Sequence, residues 1–144
     1  MLLPPGLFYT KLSNPNKRFM WNIEDFTAYC AEKKGVTQHF PFDEDTLVFK
    51  VGGKMFALTS LSDWENNTPK ANLKCPPEQA LALRAEFDGI TPGYHMNKAH
   101  WNTVAIHGDV PINQVKKLID LSYQLILDSL PKKTKFAIQQ DAEL

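Results

Sequence analysis

The chain has 144 residues, 43% of them hydrophobic and 22% charged, and its 16 basic side chains balance 16 acidic ones. This composition excludes a disordered or low-complexity protein, and the length suits one domain with a core of its own. A formal net charge of zero supplies no general attraction to nucleic acid or to an anionic membrane. Either kind of binding would therefore need a local patch.

The start of the chain is rich in proline and turn-forming residues, which predicts an N-terminal extension over residues 1–20. No apolar stretch there resembles a secretory signal, and no run approaches the ~18 apolar residues of a membrane-spanning helix. The two cysteines, Cys30 and Cys75, belong to no C-x-x-C pair. We therefore expect free thiols, no association with a membrane and a cytoplasmic location.

The first predicted elements are a helix and a β-hairpin. The helix begins after Asn22, whose side chain can cap its first turn. The hairpin joins the strand-like segments 46–51 and 54–60 through Gly52-Gly53, because two glycines can adopt the positive φ angles of a type I′ turn. This turn pairs Val51 with Lys54 and predicts which side chains face the core. That predicted core face carries Leu47, Phe49, Phe56 and Leu58, while Lys50 lies on the opposite face.

Four further elements follow along the chain. A third strand is expected over 70–75, and a helix begins at Pro77, which suits a first helical turn. Two more strands are expected around 93–97 and 100–106. The longest helix follows, over 111–130, with an apolar stripe at helical spacing. Alternation along the last strand places Trp101 on the side opposite Val104.

The order of elements is helix, three strands, helix, two strands, helix. This order predicts an α+β domain over residues 21–136, with a C-terminal tail over 137–144. Hairpins favour an antiparallel sheet, and amphipathic helices favour coverage of one face only. We expect a two-layer α-β(3)-α-β(2)-α domain whose five-stranded sheet leaves one face free of helices.

The richest candidate for binding is the segment 92–102, which reads PGYHMNKAHWN. Its aromatic rings could stack on bases or ligands, its amides and imidazoles could donate hydrogen bonds, and its lysine could meet an anion. The alternative is a structural hairpin whose aromatic side chains fill the edge of the core. The candidate residues within it are Tyr94, His95, Asn97, Lys98, His100, Trp101 and Asn102.

No catalytic or metal-binding motif is found. His95 and His100 would lie on opposite faces of a strand, and no H-E-x-x-H or C-x-x-C completes a ligand set. Cys30 and Cys75 are expected in the core, and Ser122 is expected to bond a carbonyl of its own helix. The acidic run at 43–45 could hold a cation, but such a run commonly caps a strand. We expect no enzyme activity, no metal and no cofactor.

Several segments resemble the MmcQ/YjbR family in order and spacing. They are the hairpin FKVGGKMFA at 49–57, NLKCPPE at 72–78, PGYHMNK at 92–98, HWNTV at 100–104 and LPKK at 130–133. The resemblance spans about residues 22–135 and implies an α-β(3)-α-β(2)-α fold, similar to type III secretion chaperones and called CyaY-like. It also implies DNA binding through a double wing of hairpins. Ala99 departs from the pattern, because many members carry a second lysine there.

The resemblance and the strand register both indicate a binding surface on the helix-free face. Lysines contact phosphates and aromatic rings contact bases, so the expected nucleic-acid surface comprises Lys50, Lys54, Lys74 and Lys98 with the aromatic segment. The neutral charge and the two arginines weigh against this interpretation. A protein partner or a homodimer could use the same face, since Trp, Tyr and Met are common in interfaces. A small-molecule site around Tyr94–Trp101 is the third alternative.

Overall fold

The computed structural model describes residues 20–141. The chain forms five helices and six strands within that range. They are α1 (Ile23–Ala31), β1 (Val36–His39), β2 (Thr46–Val51), β3 (Lys54–Ser60), α2 (Leu61–Glu65), β4 (Lys70–Lys74), α3 (Pro77–Glu86), β5 (Ile90–Pro92), β6 (Trp101–Ala105), α4 (Ile112–Asp128) and α5 (Lys132–Asp141).

The strands form one antiparallel sheet in the order β1-β2-β3-β4-β6-β5. The α+β class and the antiparallel sheet are confirmed, whereas the predicted number of five strands is wrong. The additional strand is β1, a short segment with a mostly exposed burial pattern that carries little hydrophobic signal. The strand predicted at 93–97 is also misplaced, since β5 ends at Pro92 and a loop of turns follows.

The main core lies between the helices and one face of the sheet. Phe26 of α1, Leu83 of α3 and Ile119 of α4 share this core with Phe49 and Phe56 of the sheet. The predicted cap of α1 is confirmed: the Asn22 side chain accepts a hydrogen bond from the backbone N–H of Asp25. Side chains of α2 and α5 also pack against this core, so the opposite sheet face is left to loops and solvent.

The β2–β3 hairpin contains a bulge that the sequence register missed. Val51 pairs with Lys54 as predicted, but Phe49 pairs with Ala57 and Val48 pairs with Leu58. Phe56 is the extra residue of the bulge, so the alternation of β3 is offset beyond it. Phe56 still packs into the main core, whereas Leu58 packs on the helix-free face, contrary to the expected core position.

The predicted chain ends lie partly outside the described residues. The expected extension over 1–20 falls almost wholly outside them, and so do residues 142–144 of the expected tail. The boundary expected at 136 falls inside α5, which continues to Asp141. Ile138 of this helix packs against the main core.

Candidate functional site

A second, smaller hydrophobic cluster lies on the helix-free face of the sheet. Val48, Leu58 and Trp101 are buried there, with Met55 and Met96 packed against them. Trp101 points away from Val104 as predicted, but only 8% of it is exposed. The expectation that Trp101 stacks on bases is therefore corrected, because the neighbouring sheet residues and Met96 cover its ring.

Residues 93–100 form a loop that is fixed to this face by hydrogen bonds. The Tyr94 N–H donates to Thr103 Oγ1 at 2.9 Å, and the Thr103 hydroxyl donates to Asn72 Oδ1 at 2.5 Å. The Asn72 amide then donates to the Tyr94 carbonyl at 3.1 Å, which closes the network. His95 takes a positive φ of 59°, a backbone conformation that is uncommon for a residue other than glycine. The network therefore positions the Tyr94 and His95 side chains above the sheet.

Asn102 faces the helices, contrary to its predicted place on the binding surface. It is 2% exposed, and its Oδ1 accepts a hydrogen bond from Arg84 Nε at 2.7 Å. Arg84 also donates to the carbonyl oxygens of Lys98 and Trp101. The Arg84 guanidinium thus ties α3 to both ends of the Lys98–Trp101 turn, where it has a structural role.

A concave site opens between this loop and the loop before β2, and we call it the sheet groove. Its volume is about 730 Å³. Phe42 and Tyr94 line it and are 63% and 68% exposed. The groove is lined by Phe42, Asp43, Asp45, Thr46, Met55, Leu58, Thr59, Ser60, Asp63, Lys70, Asn72, Tyr94, His95, Met96, Asn97 and Thr103. A site of this size is typical for a small ligand.

Carboxylates line the groove where β2 begins and β3 ends. Asp43 accepts hydrogen bonds from the backbone N–H groups of Thr46 and Asp45, and these bonds lower the pKa of Asp43. The Ser60 hydroxyl, at 2.5 Å, and the Ser62 backbone N–H hold the pKa of Asp45 below its ordinary value. Both carboxyl groups are therefore ionised at neutral pH.

A third carboxylate in the groove is partly neutralised. Asp63 lies 3.5 Å from the ammonium of Lys70, which also lines the groove. Asp43 and Asp45 are in no ion pair with a described residue. This part of the groove is therefore negatively charged.

The predicted lysines lie outside this groove. Lys50 pairs with Met55 and Lys74 with Trp101, which places both on the helix-free face, and both are half-buried. Lys54 is exposed beside the hairpin turn. The exposed Lys98 donates to the Gly93 carbonyl at 3.0 Å.

The polar residues of the loop divide between two places. His95 and Asn97 are exposed and line the groove, and the His95 ring lies 4.0 Å from the Tyr94 ring. His100 is exposed but is not part of the groove, and its carbonyl accepts from the Cys75 N–H. The structure therefore brings Tyr94, His95 and Asn97 together and leaves His100 apart.

Both thiols are buried and free. Burial raises the pKa of Cys30 to about 12, and it raises the pKa of Cys75 as well. Between residues 20 and 141 no three His, Cys, Asp or Glu side chains are grouped as a metal ion would require. In the same stretch no helix has the length and apolar character needed to cross a bilayer.

A second concavity, of about 820 Å³, lies beside the start of α1 and is lined by residues such as Trp21, Trp64 and His107. None of the residues that the sequence singled out for binding lines it.

Sequence reasoning noted the acidic run at 43–45 but did not connect it, or Phe42, with the segment 92–102 across the sheet groove. Phe42 and the carboxylates Asp43 and Asp63 lie far from Tyr94 in sequence, and only the strand order brings them to one site. The available signal was the pair of phenylalanines at Phe40 and Phe42 in a polar loop, which are 48% and 63% exposed. Large exposed aromatic side chains in a loop are typical of a recognition surface.

Comparison with known proteins shows the family of this chain. The family model described as YjbR matches residues 31–125. The Uncharacterized protein YjbR of Escherichia coli (strain K12) is 36% identical over 118 residues, covering 81% of this chain and 98% of that protein. The Uncharacterized protein YyaQ of Bacillus subtilis (strain 168) is 43% identical over 117 residues, covering 74% of this chain and 98% of that protein.

Two solved structures share the fold. The crystal structure of Deinococcus radiodurans protein DR2400, described as a DUF419 domain, gives a TM-score of 0.76 at 35% identity, covering 83% of this chain and 89% of that one. The crystal structure of a Pseudomonas syringae protein gives a TM-score of 0.63 at 30% identity, covering 74% of this chain and 99% of that one. The family match, the relatives and the shared fold together show that this chain belongs to the YjbR family.

Proposed function

We propose that this chain is a binding module whose ligand site is the sheet groove. The observation that carries the proposal is the pair of exposed aromatic side chains, Phe42 and Tyr94, which line one concave site on the helix-free face. Exposed aromatic surface of this kind is costly in water and is typical of interaction sites. The ligand class is a small molecule with apolar surface, since the groove volume of about 730 Å³ suits one.

The fixed loop supports this proposal. Thr103 and Asn72 hold Tyr94 through its backbone N–H and carbonyl. These bonds fix the backbone that carries the ring and use no atom of the Tyr94 side chain. A preformed site loses less conformational entropy when it binds a ligand. The groove therefore has the properties of a binding site that exists before its ligand arrives.

The test is a fragment screen by saturation-transfer NMR on the wild type and three variants. Fragments that bind the wild type should lose most of their signal with Phe42→Ala and with Tyr94→Ala. They should keep it with Phe136→Ala, a matched control on α5 whose ring is also 63% exposed. Fragments whose signal is unchanged by both groove variants, or is reduced equally by Phe136→Ala, would contradict the proposal.

Nucleic acid is a second candidate, favoured by the way charge is separated along the hairpin. Strand β2 starts next to Asp43 and Asp45. Lys50 near its other end and Lys54 at the start of β3 lie close to the Gly52-Gly53 turn. None of the four predicted lysines takes part in an ion pair among the described residues. A polyanion would therefore meet the hairpin turn rather than the groove, where carboxylates repel phosphate.

This second candidate has its own test. Fluorescence anisotropy with single- and double-stranded DNA and RNA at low salt should detect weak binding that ignores sequence. Lys54→Gln should lower the slope of log affinity against log salt by about one unit. Lys117→Gln, an exposed lysine on α4, is the control. Absence of binding to all four nucleic acids would rule this candidate out.

A further inference from the structure

Charge and aromatic surface occur together in the sheet groove, and this combination restricts the ligand. Two of the side chains that line it, Phe42 and Tyr94, present exposed ring surface. The face of an aromatic ring carries negative electrostatic potential and attracts cations. The carboxylates of Asp43 and Asp45 line the same groove.

The formal charge of the groove is negative. Asp43, Asp45 and Asp63 contribute three negative charges, and Lys70 contributes one positive charge. The Lys70 ammonium is 3.5 Å from Asp63. Asp43 and Asp45 form no ion pair with any residue that the structure describes. Their oxygen atoms accept hydrogen bonds from nearby backbone and hydroxyl groups, which fixes their positions without cancelling their charge. An anionic ligand would be repelled here and a cationic one attracted.

The apolar part of the groove suits a ligand with a hydrocarbon body better than a metal ion alone. Met55, Leu58 and Met96 line it beside the aromatic rings, and they offer contact area to a hydrocarbon body rather than oxygen ligands to a metal. Thioether side chains adapt to ligands of varied shape. The matching chemistry is therefore an apolar or aromatic body that carries one cationic group.

We infer that the sheet groove binds a small organic cation, with its ammonium or guanidinium group beside Asp43 and Asp45 and its apolar body between Phe42 and Tyr94. This inference rests on the proposed function, because it assigns a ligand class to the same groove. The carboxylates attract the cationic end of the ligand, while the two rings contact its apolar body and add to the negative potential of the groove.

The experiment compares three probes with one body and different charge: 3-phenylpropylammonium, 3-phenylpropanol and 3-phenylpropanoate. Each is titrated into ¹⁵N-labelled protein at low and at physiological salt. The ammonium should bind about 3- to 10-fold more tightly than the alcohol, and the carboxylate should bind most weakly. Raising the salt concentration should narrow the difference, since salt screens exposed charges.

Two charge variants sharpen the assignment. Asp43→Asn removes one charge while the amide oxygen can still accept the Asp45 and Thr46 N–H bonds, so it should weaken the ammonium alone. Lys70→Gln removes the competing positive charge and should strengthen ammonium binding. Glu86→Gln, an exposed position on α3, is the control and should change neither.

The outcomes separate the inference from the proposed function. If the alcohol or the carboxylate binds as tightly as the ammonium, with shifts in the groove, the ligand class is wrong while the groove remains a binding site. If Asp43→Asn and Lys70→Gln leave the ammonium affinity unchanged, the inference is also overturned. If no probe shifts groove resonances, the inference fails, and the fragment screen decides the proposed function separately.

Discussion

The hydroxyl of Ser122 on α4 donates a hydrogen bond of 2.6 Å to the carbonyl of Phe56, the extra residue of the hairpin bulge. The same oxygen accepts from the backbone N–H of Lys74 at 2.8 Å. The ladder between β3 and β4 ends one step earlier, at the pair Ala57 and Leu73. Ser122 therefore replaces the ladder at the bulge, and it does not bond its own helix as the sequence suggested.

Ser122→Ala should leave the buried Phe56 carbonyl and the part-buried Lys74 N–H without these partners. Each such loss costs about 1–3 kcal/mol, so the free energy of unfolding should fall by at least ~2 kcal/mol. Urea denaturation monitored by circular dichroism measures this value. Ser129→Ala serves as the control, because the hydroxyl of Ser129, directly after α4, makes only a local bond to the Ile126 carbonyl. Equal stability of Ser122→Ala and the wild type would contradict the assigned role.

The hairpin turn gives a comparison between two adjacent glycines. Gly52 and Gly53 have φ angles of 58° and 82°, which confirms the predicted turn chemistry. A Cβ on Gly52 would lie 2.5 Å from Leu130 Cδ1, whereas a Cβ on Gly53 would meet nothing within 4 Å. Gly53→Ala should cost about 1–2 kcal/mol from backbone strain alone, and Gly52→Ala should cost more because Leu130 must also move. Thermal unfolding of both variants tests the order, and a larger loss for Gly53→Ala would contradict it.

Local chemistry in the sequence predicted most of the fold, and it failed where tertiary context decides. The Asn22 cap and the Gly52-Gly53 turn are short-range signals, and both are confirmed. At the bulge the Phe56 carbonyl is bonded by Ser122, a residue 66 positions away, and alternation along the hairpin carries no signal of such a distant partner.

The candidate site was predicted in part for the same reason. Tyr94, His95 and Asn97 were identified by local density of polar and aromatic residues, and they do line one groove. Trp101 and Asn102 belong to the same run, yet both are buried, because alternation in β6 sends one to the helix-free cluster and the other to Arg84. Sequence polarity identifies a segment, whereas accessibility depends on what covers it.

Trp101 should behave as a core residue rather than as a stacking surface. Trp101→Ala should lower the free energy of unfolding by about 3 kcal/mol or more, as removal of a buried aromatic side chain does. Tyr94→Ala, at a position 68% exposed, should change it by less than about 0.5 kcal/mol. Chemical denaturation of both variants provides the measurement. A neutral Trp101→Ala with reduced nucleic-acid binding would instead restore the stacking interpretation.

Asp45 should contribute to acid sensitivity. Its pKa is lowered in the folded state by the Ser60 hydroxyl and the Ser62 backbone N–H, so its ionised form stabilises the fold. That contribution is present above the ordinary value of 3.8 and is lost as the pH falls through the lower folded pKa. Asp43 and Asp128 also have lowered pKa values, so they contribute to the same loss of stability at acidic pH.

Asp45→Asn should therefore reduce stability at neutral pH and weaken the loss of stability below about pH 4. Urea unfolding at a series of acidic pH values, with Glu86→Gln as the control, gives the comparison. If the free energy of unfolding of the variant falls as steeply with decreasing pH as that of the wild type, Asp45 does not contribute.

The central claim is that the sheet groove is the ligand site, and backbone amide shift mapping tests it most directly. A fragment that binds wild-type protein is titrated while the ¹⁵N–¹H spectrum is recorded. We predict that the largest shifts fall on β3, on the residues around Phe42 and on Tyr94–Asn97, whereas the amides of α3 and α5 stay in place. Shifts concentrated on the helices, with the groove unchanged, would contradict the account.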